Sequence, residues 1–345
     1  MIKRCKDTTR GFSLLEMAMV MMVLAVLLTI SGPYISDFVS ISNDTYNQKQ
    51  LIINQKISAG LMKYAVENTN QGTLPTPYTG SGYTSTILNP ANTSLSAILT
   101  SSNILSTEIN DDGYDAKNVR VYQKLSSITK QSPLFLQTGP LVNIVYDYGI
   151  VYNTRCPLND ATCNPNSTTG IPGASAVLNV SNYKTWTLTS PDMNVVAVSL
   201  EPLQQQLLKI TADRLLTIRD KLKNYIKYQE QAAAPGDTTN FYLPSSPTLG
   251  GQTPTGAQQG CRDGWYNLYT TAGILDELGL SASEYGITGW GGIIEYCRDY
   301  DVNGTKTANA PPHYAALRIH NTPSTGSAAN NPDHAVPGNN ILLTF

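Results

Sequence analysis

The residues in this chain that could do chemistry are few, and most of them sit in turns. Asp299-Tyr300-Asp301-Val302-Asn303-Gly304 sets oxygen ligands at alternate positions, Asp299, Asp301 and Asn303, with glycine in sixth place. This is how an EF-hand-type calcium loop begins. The twelfth position of such a loop needs a bidentate glutamate, and here it is Ala310, so calcium competes with a plain Asn-Gly turn flanked by solvated acids. Asp111-Asp112-Gly113-Tyr114-Asp115 reads the same way, with the turn still stronger. His313, His320 and His334 lie in Pro- and Asn-rich sequence. They form neither H-E-x-x-H nor a close pair at helical spacing, so they read as loop histidines rather than zinc ligands. The chain has no G-x-S-x-G, no Gly-rich phosphate loop and no setting for a catalytic cysteine. Nothing argues for an enzyme, and calcium is the one cofactor left in view.

Of the five cysteines, Cys5 lies in a basic leader. The others form a close pair, Cys156 and Cys163, and a wider pair, Cys261 and Cys297. An even set without Cys-x-x-Cys favours disulfides in an oxidising compartment over a metal site. The short loop between Cys156 and Cys163 closes at little entropic cost, which predicts pairing within each set.

Glu16 poses a different question. It stands inside the run from Phe12 to Ile30, which is otherwise free of charge. Those residues would make about 28 Å of helix, close to the ~30 Å hydrocarbon thickness of a bilayer. A carboxylate at mid-membrane costs about 2.5 to 3.5 kcal/mol. Lys3, Arg4, Lys6 and Arg10 precede the run and face one acid, Asp7. By the positive-inside rule this predicts a single pass in a bacterial inner membrane, N-terminus cytoplasmic and bulk periplasmic. Without residues 1–11 the chain keeps 19 basic and 24 acidic side chains, a net of −5, which excludes a general nucleic-acid binder.

The elements that must position these residues follow from periodicity. Ile53, Ile57, Leu61 and Tyr64, with Phe38 and Tyr46 upstream, keep helical spacing to about Glu67. Runs at Val119–Tyr122, Val142–Tyr146, Gly149–Tyr152 and Val195–Val198, separated by Gly, Asn and Pro, predict a small antiparallel sheet. Leu203, Leu207, Ile210, Leu215, Ile218, Leu222 and Ile226 form a second helical stripe, with Pro202 in its first turn and Pro235-Gly236 as its stop. The order then repeats faintly. The first half runs through Tyr64, Leu74-Pro75, Ile104-Leu105, Asp147-Tyr148-Gly149 and Tyr152. The second runs through Tyr225, Leu243-Pro244, Ile274-Leu275, Gly289-Trp290-Gly291 and Tyr296.

Gly11-Phe12-Ser13-Leu14-Leu15-Glu16, after a short basic leader and before the apolar run, resembles the prepilin leader of type IV pilins and type II secretion pseudopilins. The resemblance covers residues 1 to about 35. It implies that a prepilin peptidase cuts after Gly11, that Phe12 becomes the methylated first residue, that Glu16 is the assembly glutamate, and that Pro33 kinks the helix. It implies an α+β fold, with a long N-terminal helix, membrane-spanning in its first half, packed on a small antiparallel sheet. The expected divisions are a removed leader at 1–11, a transmembrane and filament-core helix at 12–33, a first pilin-like head at 34–200 and a second α+β head at 201–345. The alternative to tandem heads is one head with a large insertion. The implied function is a structural subunit, pilin, minor pilin or pseudopilin, of a type IV pilus-like or type II secretion filament in the periplasm or outside the cell. Its implied partners are other subunits, the prepilin peptidase, an inner-membrane assembly platform and membrane lipid. The competing reading is a membrane-anchored surface binding or adhesive protein that never polymerises.

Overall fold

The computed structural model describes residues 14–67, 72–77, 93–104, 118–135, 139–155, 178–187, 195–245, 259–301, 312–323 and 330–345. The chain divides into two compact units, Met1–Ile53 and Asn54–Phe345. Helix α1 (Leu14–Val66) contributes its residues 14 to 53 to the first unit and 54 to 66 to the second.

In the first unit Met21, Met22, Asp37, Asp44 and Lys49 are exposed. Among the described residues no helix is long and apolar enough to cross a membrane. This overturns the expected N-terminal helix with a membrane-spanning first half, and with it the single-pass inner-membrane placement. The physical reason lies in the side chains that are described. Among them Asp37, Asp44, Lys49, Lys56 and Lys63 leave α1 no described apolar stretch of spanning length; within the expected 12–33 span only the side chains of Met21 and Met22 are described.

The second unit is α+β with two antiparallel sheets. After Val66, α2 (Thr93–Ser101) leads to the first sheet, β1 (Asn118–Pro133), β2 (Leu141–Arg155) and β3 (Val195–Ser199), ordered β1-β2-β3. Helix α3 (Glu201–Ala232) follows. The second sheet is β4 (Tyr266–Asn267), β5 (Glu295–Cys297), β6 (Ala316–His320) and β7 (Asn340–Thr344), in that order. Two short helices, α4 (Ala272–Glu277) and α5 (Ala282–Tyr285), lie between β4 and β5.

Alternation in β2 explains what covers the first sheet. Val142, Ile144 and Tyr146 are buried while Leu141 is exposed, and from Asp147 onward both faces are covered. The residues that pack on Leu134, Val142 and Ile144 come from α3, whose Leu208, Leu215, Ile218, Leu222 and Ile226 join the same core. Helix α3 covers β2, and on β1 Arg120 Nε donates to Asn54 Oδ1 of the C-terminal part of α1 at 2.9 Å. Burying each such Leu or Ile stabilises by roughly 1.5–3 kcal/mol. The C-terminal part of α1 buries Ile57, Leu61 and Ala65. There Gly60 sits against Ser102 and Ile104, just beyond α2.

Asp147 ties the first sheet to the chain that follows α1. Its Oδ2 accepts from Leu74 N at 2.9 Å and pairs with Lys124 Nζ at 2.8 Å, while Lys124 also donates to Leu74 O. Its Oδ1 accepts from Ser127 N, at the bulge where β1 shifts register between Leu125 and Ile128.

Candidate functional site

Gly11 and Phe12, the processing residues, lie outside the described residues, as do Cys156, Cys163 and Asn303. Glu16 and Pro33 fall within α1, with their side chains undescribed. Cys261 and Cys297 are joined by a disulfide, Cα to Cα 5.8 Å.

The structure does not bring the calcium-loop acids together as ligands. Asp299 is fully buried, with Oδ2 3.1 Å from Arg262 Nε and Oδ1 3.6 Å from His313 Nδ1. Asp301 donates its backbone N–H to Gly260 O. Asp299 thus faces a guanidinium and an imidazole, and Asn303, the third candidate ligand, lies outside the described residues. Among the described residues no group of three or more His, Cys, Asp or Glu could hold a metal ion. His313 also reaches Thr238 O at 3.1 Å, so its role is to join the loop after α3 to the end of β5.

A second buried charge system lies across β5 and β6. Glu295 is fully buried and Arg318 is 1% exposed, and Arg318 Nε donates to Glu295 Oε2 at 2.5 Å. Glu295 Oε1 lies 2.9 Å from His334 Nε2. Arg318 Nη1 donates to Gln259 Oε1 at 2.6 Å, and the guanidinium lies 4.1 Å above the Trp265 ring. Burial pulls the Arg318 pKa down, and the Glu295 charge opposes that shift. The Tyr296 hydroxyl, enclosed on all sides, is pushed well above the ordinary tyrosine value by burial.

The third arrangement forms where α3 meets the turn before β5. Gln204 and Thr211 are fully buried on α3, although the helical stripe read from sequence passed through Leu203, Leu207 and Ile210. Both are there to bond the turn. Trp290 Nε1 donates to Gln204 Oε1 at 2.7 Å, and Gly289 N donates to Thr211 Oγ1 at 2.8 Å. Gly292 N donates to Thr288 Oγ1, and Asn330 Nδ2 donates to Trp290 O. A Cβ at Gly289 would come within 2.3 Å of Leu207 O, and one at Gly292 within 2.1 Å of Asn330 O. The glycines of "GWGG" are thus fixed by backbone approach. Beside the turn a cavity of about 330 Å³ opens between α3 and the end of α1.

Sequence reasoning missed Glu295, Arg318, Gln204 and Arg214. The first two had a usable signal. Each is a lone charge in an apolar strand-like run, Ile293-Ile294-Glu295-Tyr296-Cys297 and Ala315-Ala316-Leu317-Arg318-Ile319, and two such strands side by side can pair their charges across the ladder, as Glu295 and Arg318 do in register. Comparison of the chain with protein-family models, with curated proteins and with solved structures gives no match in any of the three.

Proposed function

We propose that the chain is a structural subunit of a type IV pilus-like or type II secretion filament, a pilin, minor pilin or pseudopilin, carrying its α+β unit as the head. One observation carries this reading: Gly11-Phe12-Ser13-Leu14-Leu15-Glu16 stands between a four-cation leader and an apolar run. The prepilin peptidase is then the processing partner and other subunits are the assembly partners. The chemistry gives Glu16 a purpose. Cleavage after Gly11 creates a cationic α-amine on Phe12, and methylation leaves it charged. Glu16 stands four residues on, so a neighbouring subunit shifted along the axis presents its amine to this carboxylate. Two ions that are each costly in apolar surroundings become tolerable as a pair, and the pair sets the axial register.

The test is the mature N-terminus. Mass spectrometry of protein produced with an active prepilin peptidase is expected to find N-methylated Phe12. An intact Met1, or a start near Gly32, overturns the proposal.

A further inference from the structure

The cavity beside the Thr288–Gly292 turn has the build of a ligand site. Its walls are apolar: Val66, Leu203, Leu207, Ile287 and Trp290. Its volume of about 330 Å³ falls in the range of small-molecule sites. The turn that forms one wall is held at nearly every residue. Trp290 is fixed by Gln204 and Asn330, Gly289 by Thr211, and Gly292 by Thr288. A wall so tied down loses little freedom on binding. Gly291, at φ +78°, would meet nothing within 4 Å if it carried a Cβ, so the turn is open on the cavity side.

The polar group that gives this cavity a preference is Arg214. Its Nη1 donates to Ile287 O at 2.9 Å and to Thr288 O at 3.1 Å, which holds the guanidinium plane at the cavity wall. Among the described residues its Nε and Nη2 have no hydrogen-bond partner. These edges leave directional N–H donors at the cavity wall, and that geometry suits a carboxylate. Glu67, also at the cavity, is exposed.

We propose that this cavity binds a small monocarboxylate with an aromatic or branched aliphatic body, the body resting against Trp290, Leu203 and Leu207 and the carboxylate on Arg214. The site is independent of filament assembly. A polyanion is disfavoured by its single guanidinium and apolar walls, and a neutral apolar molecule would make no use of the Nε and Nη2 edges of Arg214.

The test uses the full chain, 3-phenylpropionate as probe and 3-phenylpropionamide as its neutral isostere. Binding is followed by calorimetry and by the Trp290 indole N–H signal, assigned through Trp290→Phe. The acid is expected to bind saturably and about tenfold more tightly than the amide. Arg214→Gln should reduce that preference to none, with the Trp290 indole N–H signal kept at its wild-type position as the separate check that the turn is still formed. Arg214→Lys, which retains charge but not the fork, should keep a reduced preference. Equal binding of acid and amide to the wild-type chain, no saturable binding up to ~10 mM, or an acid preference that survives Arg214→Gln overturns the proposal.

Discussion

Removing the carboxylate of Glu295 should be among the most damaging single changes in the second unit. Glu295→Ala strands the Arg318 guanidinium in a site that is 1% exposed, and breaking a buried pair by deleting one partner costs about 3–5 kcal/mol. The hydrogen-bonding contact with His334 is lost as well, worth about 1 kcal/mol. The Trp265 ring below the guanidinium and the Gln259 acceptor remain, and they offset part of the loss, on the order of 1–2 kcal/mol. The net expectation is about 4 kcal/mol, a large fraction of the ~5–15 kcal/mol by which domains are stable. Urea unfolding at pH 7, followed by far-UV circular dichroism on the disulfide-bonded protein, measures it. The double variant Glu295→Leu/Arg318→Met removes both charges and should cost less than Glu295→Ala alone. A loss below about 1 kcal/mol for Glu295→Ala, or a double variant that simply adds the two single costs, refutes the reasoning, because either result means the charges do not depend on each other.

The other expectations concern separate parts of the molecule. Asp147→Ala leaves Lys124 without its partner and Leu74 N without its acceptor, so a loss of about 3 kcal/mol in the same urea assay is expected, and Lys124→Met should suppress much of it. Gly292→Ala, whose Cβ would fall 2.1 Å from Asn330 O, should lower stability by about 2 kcal/mol or more; a neutral result in thermal unfolding would show that the turn relaxes freely. Burial pushes the Tyr266 hydroxyl up to about 12, with Arg298 opposing and Asp263 adding, and it raises Tyr122, Tyr152 and Tyr296 further. The folded chain therefore holds more protons than the unfolded chain above pH ~10. Stability is full below that pH and is lost as pH rises through 12, and phenolate absorbance from these residues should appear only with loss of structure. For the proposed filament, Glu16→Ala should leave cleavage after Gly11 intact yet cut recovery in sheared fibres about tenfold, equivalent to ~1.4 kcal/mol per subunit addition; wild-type recovery would remove the register role.

What was legible in the sequence was whatever local periodicity decides. The stripe Leu215, Ile218, Leu222, Ile226 and its Pro202 and Pro235-Gly236 boundaries give α3 almost to the residue, because one face of a helix must be apolar if it is to be buried. The runs at Val142–Tyr146 and Gly149–Tyr152 are one strand, β2; Asp147, between them, is a buried partner of Lys124. In the N-terminal part of α3 the buried side is wider than the apolar stripe. Gln204 and Thr211 look like solvent-facing residues until Trp290 and Gly289 are known to lie against them. The membrane-spanning helix failed differently: it was drawn from the run at 12–30, whereas the described side chains of α1 from Asp37 onward carry regularly spaced charges. The places of Asp147, Gln204 and Thr211 depend on partners far away in sequence.

The two halves of the second unit solve one problem in the same way. After the last turn of α1 the chain passes through Leu74-Pro75, and after α3 it passes through Leu243-Pro244, with Leu74 and Leu243 both buried. Burying a leucine there brings in backbone carbonyls that need donors. In the first half Lys124 Nζ supplies one to Leu74 O and Tyr122 Oη supplies one to Pro75 O; in the second Arg298 Nη1 supplies one to Pro244 O. Each cation in turn has an acid beside it, Asp147 for Lys124 and Asp263 for Arg298. The carbonyls require donors and the buried cations require acids, so a helix followed by a buried Leu-Pro is met by an ion pair, within β1 and β2 in the first half and just outside β4 and β5 in the second. A tandem pair of heads is therefore a reading with a structural motive beyond the faint repeat in the letters. The core adds a constraint on that reading: Leu134, just after β1, and Val142 and Ile144 of β2 lie in one cluster with Leu208, Tyr296 and Leu317. Heads related in this way would share one core, and α3, packed on β2 while it supplies the second head's helix, would be the element that joins them.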